Sequence, residues 1–218
     1  MNPTEEIIAY PTPDKKTVAE RLARSISLVF HPFLMPLYGV AILLFGNTFM
    51  AYLPVRMKYY VLGVVALTTL IFPALSIALL KNLKVISGLS LESRRDRMWP
   101  LLVVCIGYML CAWMLSGYAA IGLLHRVIYA AVVSILICFA VNLRWKISLH
   151  MTAMGAIVAM LFCVTLRNYG ALFTPLLISV ASAGLLGAAR LYLGYHSSWQ
   201  ILAGFGVGVL VMSLAVLL

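Results

Sequence analysis

The 218-residue chain is poor in charge and poorest in acid. Only 10% of its residues are Asp, Glu, Lys or Arg, and 64% are hydrophobic. Soluble domains carry roughly 25% charged and about 45–50% apolar residues. The six carboxylates, Glu5, Glu6, Asp14, Glu20, Glu92 and Asp96, all precede Arg97, and none follows. That absence excludes a paired-carboxylate hydrolase site from the C-terminal half, and with it an oxygen-rich calcium or magnesium cage. The four cysteines, Cys105, Cys111, Cys138 and Cys163, form no C-x-x-C pair. They suggest neither a zinc site nor a disulfide framework. The first 25 residues lack the continuous apolar stretch of a signal peptide. No internal repeat and no two-residue alternation of a membrane barrel is present.

What fills the chain is long apolar runs. Seven are delimited, at 28–52, 59–80, 100–117, 118–143, 149–166, 171–190 and 199–218. Each approaches the ~20 residues needed for a spanning helix. The expected fold is all-α, a polytopic transmembrane bundle of six to seven helices. Residues 1–27 form an N-terminal arm and 28–218 the bundle. Within the arm, Thr17 to Leu28 reads as an interfacial amphipathic helix. The turn between the third and fourth runs is expected either at Ser116–Tyr118 or at His125–Arg126.

Tracing the chain back and forth across a bilayer sorts its polar segments. With the arm on face X, "LPVRMK" (53–58) and "RNYG" (167–170) fall on face Y. "SRRDR" (93–97), "KISLH" (146–150) and "RLYLGYH" (190–196) converge on face X. Arginines gathered without acidic partners repel one another unless an anion neutralises them, and guanidinium groups match phosphate geometry. His150 and His196 each open an apolar run, where a helix N-terminus adds positive potential. Histidine can act as a nucleophile on phosphorus or as a proton donor to the leaving oxygen.

On these residues the sequence resembles the type 2 phosphatidic acid phosphatase superfamily of membrane lipid phosphatases, whose blocks read K-x6-R-P, P-S-G-H and S-R-x5-H-x3-D. Here the third block runs Arg190, His196, Gln200. The second keeps Ser148 and His150, and the first is the looser "SRRDRMWP" ahead of Pro100. The resemblance spans about residues 81–208. It implies that His196 is the nucleophile of a phosphohistidine intermediate, and that His150 is the acid protonating the departing alcohol. It further implies that Arg190, Ser148, Arg94 and Arg97 bind phosphate. Gln200 replaces the aspartate that orients the nucleophile. Its amide oxygen can still accept the imidazole N–H from the same helix face. Lys146 stands in for the missing lysine of the first block.

The expected activity is hydrolysis of a lipid phosphate or diphosphate without a metal or other cofactor. Phosphatidic acid, phosphatidylglycerol phosphate, a polyprenyl diphosphate and a lipid A phosphate all remain open as substrates. A phosphotransferase on the same site and a non-catalytic anionic-lipid binder or transporter are the alternatives. The partners are a phosphorylated lipid and the membrane, not nucleic acid, and a bacterial inner membrane suits the compact size. By the positive-inside rule face X is cytoplasmic, whereas relatives that the chain resembles commonly face the site outward. His31 in "FHPFLMP" reads as structural, His125 as a face-Y or turn residue, and Gly204 with Gly208 as small-residue helix packing.

Overall fold

The computed structural model describes residues 17–86, 94–167 and 171–218; the side chains of residues 94–97 also lie outside that description. The described residues form eight helices and no strand. They are α1 (Val18–Val29), α2 (Met35–Phe45), α3 (Val55–Asn82), α4 (Arg94–Leu115), α5 (Gly122–Asn142), α6 (Leu149–Leu166), α7 (Phe173–Tyr192) and α8 (Ser198–Leu217). Six of them, counting α4 from Met98, are long and apolar enough to cross a bilayer, the architecture of a multi-pass integral membrane protein. Large apolar side chains such as Trp113 (73% exposed) and Leu75 (66%) stand on the outside, where lipid rather than water is their solvent.

The first apolar run, 28–52, does not become a spanning helix, and the expectation for it is corrected. Pro32 and Pro36 break it, and only the 11-residue α2 forms, about 16 Å long against a hydrocarbon core of about 30 Å. The segment nevertheless reaches both ends of the bundle through its non-helical flanks. His31 lies beside His150 at one end, and the Ala171 N–H bonds the Asn47 carbonyl at the other. The turn between the third and fourth runs falls at Ser116–Tyr118. His125 latches it from the first turn of α5, Nε2 donating to the Leu115 carbonyl at 2.8 Å.

Helix α1 has the amphipathic face expected of it, offset by a residue. Thr17 caps it through the Glu20 N–H, and the Arg24 guanidinium pairs with Glu20 one turn away. Ala23 and Ser27 face the bundle, while Val18, Leu22 and Val29 project outward as an unpartnered apolar stripe suited to a membrane interface. In α3, Pro73 lacks the N–H that would continue the ladder. A π-helical stretch over Ala66–Ile71 precedes it, with the Thr68 and Thr69 hydroxyls bonding the carbonyls of Val64 and Val65.

The contact that positions the rest is α6 against α8. Gly155 of α6 lies against the Phe205 backbone; Gly204 and Gly208 of α8 lie against the Ser148 and Thr152 backbones. Without side chains in the seam the two helices approach backbone to backbone. Their N-termini therefore emerge side by side. Gly206 meets nothing within 4 Å, as its different facing requires.

Candidate functional site

The polar residues at this end come mostly from places where a helix starts or stops. Ser148 is the N-cap of α6 and His150 sits in its first turn. His196 immediately precedes Ser197, the N-cap of α8, and Gln200 closes that first turn. Arg190 lies in the last turn of α7. Gly194, at φ +65°, turns the chain sharply after α7, so that His196 comes back towards Arg190. Arg190 and His196 are 8% and 7% exposed, deep burial for a cation and an imidazole at a membrane boundary. The Arg190 guanidinium stacks 4.5 Å from the Tyr195 ring centroid.

The tautomer of His196 follows from the hydrogen bonds. The Ser197 backbone N–H can only donate, and it reaches Gln200 at 3.3 Å, so the atom it meets is the amide oxygen Oε1. The same Oε1 lies 3.1 Å from His196 Nδ1. Two donors converge on one acceptor, so Nδ1 carries the proton and Nε2 of the neutral ring carries the lone pair. Gln200 has a second duty in the same geometry, as the third residue of a capping box with Ser197.

His150 donates from Nε2 to the carbonyl of Ser27 at 3.2 Å. That carbonyl lies in the last turn of α1, where the His31 N–H bonds Leu28 rather than Ser27. The imidazole thus closes the C-terminus of α1. His31, Arg190 and His196 all lie within electrostatic range of His150. The His31 ring meets the His150 ring edge-on at 5.5 Å between centroids, and its Nδ1 accepts the Phe33 N–H at 3.3 Å. Burial pushes the His31 imidazole below the usual histidine range, and the Arg190 guanidinium beside it adds to the shift.

Of the residues singled out in the sequence, His196, Gln200, His150, Arg190 and Ser148 come together. Ser148 is fully buried. Its N–H reaches the Gln200 carbonyl at 3.3 Å, and its Oγ has no hydrogen-bond partner among the described residues. Lys146 lies in the turn before it, partly buried. Arg94 and Arg97 begin α4, but their side chains lie outside the described residues. Three contributors were missed: the Ser27 carbonyl, His31 and Tyr195. His31 was legible as a fourth polar point on face X, since the chain trace already placed the start of the first run there. No sequence signal marked Ser27. Among the described residues no group of His, Cys, Asp and Glu is arranged to hold a metal ion.

Compared with protein-family models, with curated proteins and with solved structures, the chain matches none.

Proposed function

We propose that this protein hydrolyses a lipid phosphate or diphosphate through a phosphohistidine, without a metal ion. The observation that carries the reading is the fixed tautomer of His196, which puts a nucleophilic lone pair on Nε2 in a buried site shared with Arg190 and a second histidine. Nε2 attacks phosphorus and the P–O bond to the lipid alcohol breaks; His150, taking up a proton as the dianionic phosphate binds, gives the Nε2 proton of its imidazolium to the departing oxygen and is left as the neutral ring. Water then attacks the phosphohistidine and gives a proton to the neutral His150, the P–N bond breaks to return neutral His196, and inorganic phosphate leaves. Arg190 and the N-termini of α6 and α8 hold the negative charge on the phosphoryl oxygens throughout. Gln200 keeps Nδ1–H directed away from phosphorus in both steps. A bacterial inner membrane is the proposed setting.

The test is phosphate release by the detergent-solubilised protein from a panel of lipid phosphates and diphosphates in excess EDTA, with His196→Ala alongside. The expected result is release that survives EDTA and is abolished by the substitution. Release that disappears with EDTA, or persists in His196→Ala, sinks the mechanism.

One observation favours a second reading, a non-catalytic binder of anionic lipids. Gln200 Oε1 is shared between His196 and the cap of α8, and as a neutral acceptor it supports a charged imidazole less than a carboxylate would. This reading expects lipid phosphates to bind both proteins equally, with no phosphate released by either.

A further inference from the structure

We propose that His31, which lies outside the three blocks of the resemblance, is a further phosphate-binding residue of this site, its Nε2–H donating to a phosphoryl oxygen beside Arg190. The proposal rests on the reading of the cluster as a lipid-phosphate site and deepens it by one residue.

The tautomer of His31 is set as that of His196 is, with the opposite result. The Phe33 backbone N–H can only donate, and it reaches His31 Nδ1 at 3.3 Å. Nδ1 therefore holds the lone pair, and the neutral ring carries its proton on Nε2. The two nitrogens face opposite sides of an imidazole, so Nε2–H is directed away from the Phe33 N–H. It bonds no acceptor among the described residues.

The side chains that stand near this donor are themselves donors. Arg190 lies within electrostatic range of both His31 and His150, and a guanidinium only donates. The His150 ring meets that of His31 edge-on at 5.5 Å between centroids, and its own Nε2–H is spent on the Ser27 carbonyl. Two serines beside His150 repeat the pattern. Ser27 is 8% exposed and Ser148 is fully buried, and the Oγ of each has no hydrogen-bond partner among the described residues. Buried polar groups are nearly always hydrogen-bonded. Donors gathered around a cation call for an oxyanion, which has lone pairs for all of them.

The backbone fixes where the His31 donor stands. Its N–H bonds the Leu28 carbonyl at the end of α1, and its carbonyl accepts from Leu34 and Met35 at the start of α2. Pro32 restricts the conformation of the residue before it. The Phe33 ring packs edge-on against the imidazole at 4.7 Å. His31 thus enters the site preorganised, with little left to order on binding. It donates while neutral, so its bond to phosphate requires no proton uptake.

The experiment compares two variants that divide the ring between them. An Asn side chain reaches only as far as Nδ1, and a Gln side chain reaches Nε2. His31→Asn keeps an acceptor for the Phe33 N–H and removes the distal donor, whereas His31→Gln keeps the distal donor and removes that acceptor. Binding of inorganic phosphate to the full-length protein in detergent is measured by calorimetry. Thermal unfolding and phosphate release from dioctanoyl phosphatidic acid are read in the same samples. The expected result is an affinity lowered about 10- to 100-fold in His31→Asn, with KM raised to match, and held within about threefold of the parent in His31→Gln. The reverse ranking, equal loss in both variants or no loss in either would overturn the proposal and leave His31 a structural residue of its turn. A long-range ¹H–¹⁵N spectrum of the histidine-labelled parent reads the same bond without any substitution. The His31 signal should show the Nε2–H tautomer and move when phosphate is added, and a signal that stays in place would equally overturn it. A parent that binds no phosphate removes the site and the proposal together. Phosphate binding weakened in His31→Asn, with none released from the lipid by the parent, keeps this role and removes only the catalytic reading.

Discussion

Replacing Gly204 with alanine tests whether the backbone contact of α6 and α8 sets the geometry of the site. A Cβ there would stand 2.5 Å from the Ser148 carbonyl oxygen and 3.3 Å from both the Ser148 carbonyl carbon and the Thr152 hydroxyl. Ordinary contact begins at 3.4 Å, and the nearest obstacle is backbone at the start of a helix, which cannot rotate away. The helices must part by several tenths of an ångström to nearly one. The Ser148 N–H to Gln200 carbonyl bond, already 3.3 Å, opens with them. Overpacking of this kind costs about 1–3 kcal/mol. His150 rides on α6 and His196 on the residue before the N-cap of α8, so the same movement displaces the proposed acid against the proposed nucleophile, and a shift near 1 Å can cost about 10²-fold in rate. Gly206→Ala is the internal comparison. Nothing lies within 4 Å of its new methyl, so it should be neutral or gain about 0.5–1 kcal/mol from better helix propensity. Thermal unfolding in detergent and phosphate release measure the two effects. If both alanines gave the same melting temperature and turnover, the close-packed seam would not be what positions the site.

Three further outcomes follow from the same geometry. Gly194→Ala forces a side chain into the left-handed region at φ +65°, a cost of about 1–2 kcal/mol. Turnover should fall with only a small loss of thermal stability, because His196 hangs on that turn. Arg190→Lys keeps the charge but loses the fork and the stacking on Tyr195; KM for lipid phosphate should rise severalfold, and salt should inhibit the variant more strongly than the parent. His31 is held below its usual pKa of about 6.5 by burial and by Arg190, with His150 facing it as well. The unfolded chain therefore binds its proton first as pH falls. Stability is full above the usual value and declines below it, down to the lowered folded value. Melting temperatures measured from pH 7.5 to 5 should fall, and His31→Gln should flatten that slope.

The fold was legible because a membrane imposes a length. The runs from 59 onward became helices close to their expected ends, since about 20 apolar residues with no competing pattern have one way to satisfy their backbone in lipid. The run at 28–52 failed for a local reason. Hydropathy counts Pro32 and Pro36 as neutral interruptions, while each removes a backbone donor and restricts the residue before it. In the site, the pairing of His196 with Gln200 four residues on was readable from their spacing, although His196 lies just before the N-cap of α8 and only Gln200 is in its first turn. The capping bond of Ser197 was not foreseen, although Ser197 three residues before Gln200 is the pattern of a capping box. His31 was on the correct face but weighed as structural. Its partnership with His150 spans more than a hundred residues and depends on how α1 lies across α7, which no local period encodes.

The polarity of the helix ends explains why such a cationic site is tolerated at all. Arg190 lies in the last turn of α7, and His150 donates to a carbonyl in the last turn of α1, both at negative helix ends. Ser148 and Ser197 begin α6 and α8, whose positive ends point to the same place. Two negative ends thus hold side-chain donors, and two positive ends face the region between them. An anion is the species that satisfies the second pair without disturbing the first. A lipid phosphate also brings an oxygen that competes with the Ser27 carbonyl for His150 Nε2–H. On the proposed mechanism, binding and acid catalysis draw on one exchange of acceptors. An α1 tied more tightly to α7 should slow turnover while leaving phosphate affinity at Arg190 intact. The contact of Thr17 Oγ1 with the Tyr192 hydroxyl at 3.4 Å is the natural place to install that tie. The double substitution Thr17→Cys with Tyr192→Cys supplies it on reaction with a bismaleimide, whose length replaces that of the lost phenol ring, and comparing the cross-linked and untreated protein separates the two effects. Equal turnover in both states would mean that His150 gives up its proton without leaving α1.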